Sequence, residues 1–451
     1  MITLLLLASS LVERWPASVA HPFRQTARLG LGFSYRYDGP EGLAVTRDER
    51  AFPEFEAIEY VVRFRNTGDV TLPAVSAIQA VDLQFGAAVL EGVSVVSAGM
   101  GMSNDVFPPE TFALRRRLFG LLTPMNGRVT LTRATDLPFW FVDNPKLQAG
   151  VFVALGGGGQ WEASVEADYE KGVLTLRGAV PGAEVRLRPG EEISGPTVLL
   201  GAYRGPLWAG SNRLRRLLRE QYRPAAADFK EDSLPAAASS GGLRIDLETV
   251  RRFPAFRLSD HALDPHVVRF LFHGLNYFLP GNYPYASFAA PADRNRPLPD
   301  IAFQSFFGGN FVLTRLDQWP PALRAQAKKH VAVYREIQRY LVEDYYPLTP
   351  QPRDLDAWEA WQFHDPKADE GFVQAFRLQS EEGFRQFRLQ GLTAAAPYRF
   401  RDPYTGEEVR LTGAQALEEG VGFQLPAMSS KVLVYERADR LKATRPAGNS
   451  R

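Results

Sequence analysis

Few residues of this 451-residue chain have types and spacing that can do chemistry, and the foremost is Asp260, in Ser259-Asp260-His261. A carboxyl group in a loop can move a proton as general acid or base, which typically speeds a reaction about 10²–10⁴-fold. The same Ser-Asp pair is also ordinary loop-capping chemistry. His261 can tune the carboxyl group or simply face solvent. Asp264 and Pro265 read as the N-cap and first position of a helix, where proline's missing N–H costs nothing. Other reactive classes are scarce. There is no cysteine, which excludes disulfides, thiolate nucleophiles and cysteine-ligated metals. The six histidines form no HxxxH or HExxH pair, so no metal or other cofactor is expected. The run Gly156–Gly159 lacks the Lys-Ser/Thr of a phosphate loop and reads as a β-turn.

The elements that must position Asp260 change character along the chain. From residue 28 to 205, short strands alternate with Gly, Pro, Asn and Asp, as in Ala57–Arg65, Gly172–Gly178 and Glu184–Arg188. Such punctuation predicts a sandwich of antiparallel sheets. A helix is predicted over Asn212–Tyr222, with Leu214, Leu217, Leu218 and Tyr222 as its apolar stripe and the arginines facing solvent. After residue 225 the pattern becomes strand, turn, helix, strand, helix, the arithmetic of a parallel α/β unit. Strands are predicted at Ser233–Ala238 and Phe253–Leu258. A helix follows Pro265, and a longer one runs from Trp319-Pro320-Pro321 to about Glu343. Strands return after residue 362, at Gly371–Arg377 and Lys431–Tyr435, and suit a small antiparallel sandwich.

Aromatic residues make up 12% of the chain and gather after residue 270. Sugar-binding proteins and large all-β cores share that trait. The 52 basic and 51 acidic side chains give a net charge of +1, so neither nucleic acid nor an anionic membrane is expected as partner. The apolar Met1–Leu11 stretch has the length of a signal peptide, with Ser18-Val19-Ala20 as a cleavage candidate. It lacks a basic start and is followed by Glu13-Arg14. The expectation is a first strand or ragged start, in a cytoplasmic rather than exported protein. No later run reaches the ~20 apolar residues of a membrane span.

Several stretches together resemble the α-galactosidases of glycoside hydrolase family 36. They are Pro53-Glu54-Phe55-Glu56, Arg63–Asp69, Gly158-Gly159-Gln160-Trp161-Glu162-Ala163 and Arg188–Ile193 in the first part. In the middle they are Ser239–Asp246 and Ser259–Asp264, and later Asp344–Leu348 and Gly371–Arg377. The resemblance implies a multidomain β plus α/β architecture: an N-terminal β-supersandwich at 26–225, a (β/α)8-type barrel at 232–362 and a C-terminal antiparallel β-sandwich at 363–437. An N-terminal segment (1–25) and a polar, disordered tail (438–451) flank these. It also implies a retaining mechanism, in which a nucleophile and an acid/base stand about 5–5.5 Å apart. Asp260 matches the acid/base position and Asp264 the later Asp of the same motif. The turn Ser239–Gly242 resembles a sugar-contacting loop, placing Ser239, Gly241 and Gly242 among the substrate-binding candidates. Arg244 and Asp246 touch sugar hydroxyls or pair with each other. Trp161 stacks on a sugar or fills the sandwich core, and Trp319, Trp358 and Trp361 are expected to pack.

The sequence departs from the family in one large respect. About 140 residues lie between the two sandwiches, where a complete barrel takes about 250. Nothing between Gln221 and Ser233 resembles the first four strand–helix units, one of which carries the nucleophile. The expectation is therefore an incomplete barrel and a glycoside hydrolase of impaired turnover, with α-galactosides or related oligosaccharides as ligands. The alternative is a non-catalytic carbohydrate-binding or structural protein. A third reading makes Asp232, Asp246 or Asp264 the nucleophile. Open parallel edges invite aggregation, so either the sandwiches close over the remnant, two copies complete one another as a homo-oligomer, or the chain folds poorly.

Overall fold

The computed structural model describes residues 24–29, 33–38, 42–72, 75–86, 90–99, 109–114, 117–119, 123–125, 127–132, 136–157, 160–222, 245–257, 265–288 and 299–440. Its N-terminal part is a ten-stranded sheet facing a four-stranded one made of Gly127–Thr132, Glu162–Asp168, Val173–Val185 and Val75–Gly86. The strands expected at Gly172–Gly178 and Glu184–Arg188 are one strand, Val173–Val185, whose register slips twice. Ala57–Asn66 alternates as its sequence does.

The centre of the ten-stranded sheet obeys a different rule. Asp136–Asn144 is buried at every position. Trp140 and Val142 enter the core between the two sheets, with Val153 and Leu155 from the paired strand. Phe139 and Phe141 point the other way, with Phe152 and Ala154, into a second core. A strand covered on both faces keeps its alternation in space and loses it in sequence.

That second core is built around helix α1 (Leu207–Gln221), which contributes Leu214, Leu217 and Leu218, with Tyr222 just beyond its end. The stripe is as the sequence predicts, but the arginine face is not. Arg215 is fully buried. Its guanidinium donates to the carbonyl oxygens of Asn276 (2.9 Å), Leu279, Leu341 (3.1 Å) and Glu343 (2.8 Å), and to Asn276 Oδ1 (3.0 Å). One planar cation thus satisfies carbonyl groups of two loops distant in sequence, where unpaired ones would be costly. Beside it the Asn212 side chain pairs with the Tyr345 backbone, donating to its carbonyl (3.1 Å) and accepting from its N–H (2.7 Å).

The middle of the chain holds three parallel strands among the described residues: Phe256–Arg257, Pro284–Phe288 and Asn310–Leu313. The strand expected at Phe253–Leu258 shrinks to two described residues, and the one at Ser233–Ala238 lies outside the described residues. Helices α2 (Leu247–Arg252), α3 (Pro265–Leu275), α4 (Asp300–Gln304) and α5 (Pro321–Ile337) accompany them. Helix α5 is shorter than the sequence suggests, because Gln338–Val342 tightens into a 3-10 turn. Its side chains Leu323, Val333, Tyr334 and Ile337 are buried.

The last sheet has six strands: Asp344–Pro347, Trp358–Asp365, Glu370–Arg377, Ser429–Arg437, Pro397–Arg401 and Glu408–Thr412. It starts at Asp344, ahead of the boundary expected at 363. Trp358–Asp365 is again buried along nearly its whole length, so it gave no alternation to read. Phe384–Phe387 and Val421–Gln424 form a small partner sheet.

The parallel region meets apolar cores on both sides, with Asn310–Leu313 half-buried along its length. Ala286, Phe288, Phe272 and Phe303 pack into the core shared with the sandwich and α1. Phe307, Tyr334 and Ile337 pack into one shared with Trp361, Phe363 and Phe372 of the last sheet. Both flanking sheets thus contribute cores to the parallel region.

Candidate functional site

In open or closed parallel sheets, ligands gather where the strands end at their carboxyl edge. Here the first strand ends at Arg257, and residues 258–264 lead into α3 at Pro265. Asp260, His261 and Asp264 are in that connection, outside the described residues, and so are Ser239, Gly241, Gly242 and Arg244. The third strand ends at Leu313. Thr314 donates its N–H to Phe288 O (3.0 Å), tying the ends of the second and third strands together. The chain then turns through Arg315 in the left-handed region (φ 52°) and a 3-10 turn, Leu316–Gln318, that exposes Asp317. Trp319 closes the turn, donating Nε1–H to Thr314 O (3.0 Å) with its ring against Phe288. It packs, as expected.

Two substrate-binding candidates are described, and both are structural. Asp246 caps α2: its Oδ1 accepts from Thr249 N–H (2.8 Å) and from the Thr249 hydroxyl (3.0 Å). It is 6% exposed. That geometry also removes it as the stand-in nucleophile, and Asp232 and Asp264 lie outside the described residues. Helix α2 is locked to the sandwich: Arg251 pairs with Glu59, and Thr197 donates to Glu248 (2.9 Å). The approach is close enough that a Cβ on Gly156 would sit 3.1 Å from Leu247 Cβ. Trp161 is buried in the sandwich core, stacked on Trp140 with rings 5.9 Å apart and 12° from parallel. The core reading of Trp161 prevails, since its face is covered by another indole.

Behind the carboxyl edge is a charged cluster that the sequence did not disclose. Glu359, from a buried strand of the last sheet, holds Arg269 and His273 of α3, and all three side chains are fully buried. Arg269 also donates to Ser305 Oγ (3.2 Å) and lies 3.2 Å from His266 Nδ1. Burial by itself would raise the Glu359 pKa. The guanidinium of Arg269 and the imidazole of His273 outweigh it and hold the carboxyl below its ordinary value. The cluster fixes the first turns of α3, the helix that the Asp260 segment enters. Arg269 and Glu359 are 90 positions apart in the chain, so the only sequence signal was an acid between aromatic neighbours in Trp358-Glu359-Ala360-Trp361.

Among the described residues no group of three or more His, Cys, Asp or Glu could hold a metal ion. No described helix is long and apolar enough to cross a membrane.

Comparison with known proteins gives a fold and no close relative. No protein-family model matches the sequence, and a search of curated proteins finds no match. Solved structures do match. The galactosidase domain of α-galactosidase-sucrose kinase AgaSK superposes with a TM-score of 0.68 at 12% identity, covering 92% of this chain and 85% of that one. A variant of the family 36 α-galactosidase AgaA from Geobacillus stearothermophilus, in complex with stachyose, gives 0.67 at 13% identity, covering 93% and 86%. The α-galactosidase from Lactobacillus brevis gives 0.65 at 11%, covering 96% and 86%. At such identities the likeness concerns the fold alone, and that fold is the one of glycoside hydrolase family 36 α-galactosidases.

Proposed function

We propose that this protein is an α-galactosidase-type glycoside hydrolase with an incomplete barrel and impaired turnover, acting on α-galactosides. The observation that carries the reading is positional. In the chain, Ser259-Asp260-His261 follows the parallel strand Phe256–Arg257 and precedes α3, in a fold like that of the α-galactosidases. Asp260 is the acid/base, protonating the leaving oxygen. We assign the three strands to the end of a (β/α)8 barrel, and among the described residues the strand that carries the family's nucleophile has no counterpart.

A retaining reaction needs that second carboxylate about 5–5.5 Å from the first. Without it the oxocarbenium-like transition state has no covalent partner, and proton transfer from Asp260 supplies only about 10²–10⁴-fold. Slow hydrolysis of an aryl α-galactoside is the expected result, lost in Asp260→Asn. Turnover indifferent to that change would refute the role of Asp260.

One observation favours a second reading, a non-catalytic carbohydrate-binding protein. The described parallel strands are packed by cores shared with the sandwich and with the last sheet, a scaffold that supports ligand binding whether or not it turns over. Calorimetry with galactose and raffinose separates the two: binding without hydrolysis selects the second.

A further inference from the structure

We infer that the protein carries a second saccharide-binding site, in a groove at the amino edge of the parallel strands, opposite the edge at which Phe256–Arg257 ends. The reading of the ligand as a saccharide rests on the function proposed above; the site itself does not.

The groove consists of two hollows on either side of Pro347 and Leu348, about 520 Å³ and 620 Å³, each within the ~300–1,000 Å³ of small-molecule clefts. Its position follows from the chain path. Helix α3 starts just past the carboxyl end of the first strand and runs back, and Tyr277, two residues beyond it, precedes the amino end of the second strand at Pro284. Tyr277 lines the larger hollow, so the groove opens at the amino edge of the sheet.

The smaller hollow has the chemistry of a sugar platform. Trp208, partly exposed near the start of α1, stands edge-on to Tyr346 with ring centroids 5.1 Å apart. An indole so held presents an apolar surface to the C–H face of a pyranose. Around it are Arg385, Arg388 and Glu419, all exposed and without an ion-pair partner among the described residues, and the amide of Gln390. Arg399 and Arg401 of the neighbouring sheet, by contrast, are ion-paired, Arg399 with Glu408 and Glu436 and Arg401 with Glu336. Planar donors and a carboxylate acceptor beside an aromatic ring match the mixed donor–acceptor pattern of sugar hydroxyls. The larger hollow continues the theme with Arg353 and Glu110 near Tyr277. Two such hollows that share Pro347 and Leu348 suit an extended oligosaccharide better than a single ring.

The test is calorimetric titration of the full-length protein with stachyose, alongside Arg388→Ala, Arg353→Ala and Trp208→Phe. Arg388 is exposed and unpaired, so its variant folds. Each arginine substitution is expected to weaken stachyose binding about tenfold or more, and ligand-induced quenching of tryptophan emission is expected to vanish in Trp208→Phe. Aryl α-galactoside hydrolysis, and its loss in Asp260→Asn, are unchanged by them. Absence of stachyose binding, or binding indifferent to both arginines, overturns the inference. So does a site that takes inorganic phosphate in an Arg388-dependent way and ignores stachyose. Arg388-dependent binding in a protein without hydrolysis leaves the groove standing and removes only the enzymatic reading.

Discussion

The six-stranded sheet and the three-stranded parallel sheet are neighbours in one chain, built on opposite terms. The former has strands of eight and nine residues at its centre, Trp358–Asp365, Glu370–Arg377 and Ser429–Arg437, and a core of its own that includes Tyr398, Phe400 and Phe423. The latter has strands of two, five and four described residues and divides its apolar side chains between cores that belong equally to its neighbours. One sheet keeps a core of its own besides the one it shares. The other is held in place by what surrounds it, and the ties are specific: Arg215 from one side, Glu359 from the other.

That contrast can be broken most directly at Arg215. Arg215→Ala strips a buried cation from four carbonyl groups and an amide, and is expected to cost roughly 5 kcal/mol, the upper range for single substitutions. Urea denaturation measures the loss, and hydrogen exchange should show the parallel strands opening before the six-stranded sheet. Uniform loss of protection would mean the two sheets are one cooperative unit.

Glu359→Gln comes next. It leaves Arg269 buried without a counter-charge, at an expected cost of about 3 kcal/mol, again by urea denaturation. The parallel region should loosen while Trp358 and its surroundings stay protected.

A smaller effect is expected from acid. Burial pushes the imidazole of His364, inside the six-stranded sheet, below its ordinary 6.5, against the pull of Asp369, Asp344 and Asp365. His330, at the seam between α5 and Tyr404, is lowered in the same way despite Asp300. The unfolded chain therefore takes up protons first as pH falls below 6.5. The stabilising contribution is full above 6.5 and lost as pH falls through the folded-state values, by at most about 1.4 kcal/mol per pH unit for each histidine. Melting temperatures from pH 7.5 to 5 should decline, and less steeply in His364→Gln. A rise on acidification would reverse the assignment.

The smallest effect belongs to Asp246→Ala, which removes a helix cap and should cost about 1 kcal/mol. Saccharide binding should be unchanged in calorimetry. A large loss of binding would return Asp246 to the site.

Legibility from sequence tracked one-sided burial. Ala57–Asn66, the stripe of α1 and the buried side of α5 were readable because each element meets a core on one side and water on the other. Asp136–Asn144 and Trp358–Asp365 were not, since coverage of both faces erases alternation. Arg215 was read as solvated because arginine is mostly a surface residue. What fixes its place is a set of loop carbonyl groups more than sixty positions away. The Ser259-Asp260-His261 motif itself lies outside the described residues, and the charged cluster around Glu359 was not legible, because its members come together only in the fold. The two-residue strand Phe256–Arg257 is too short for any periodicity to mark its limits.

The doubly covered strand Asp136–Asn144 has a consequence for how this chain can change. Trp140 and Phe141 are adjacent, yet one abuts Trp161 and the other Tyr203 and Phe278. Double-mutant cycles should therefore find Trp140 energetically indifferent to its own neighbour and strongly coupled to a residue twenty-one positions on. Along this strand, covariation would skip the next position and follow the face.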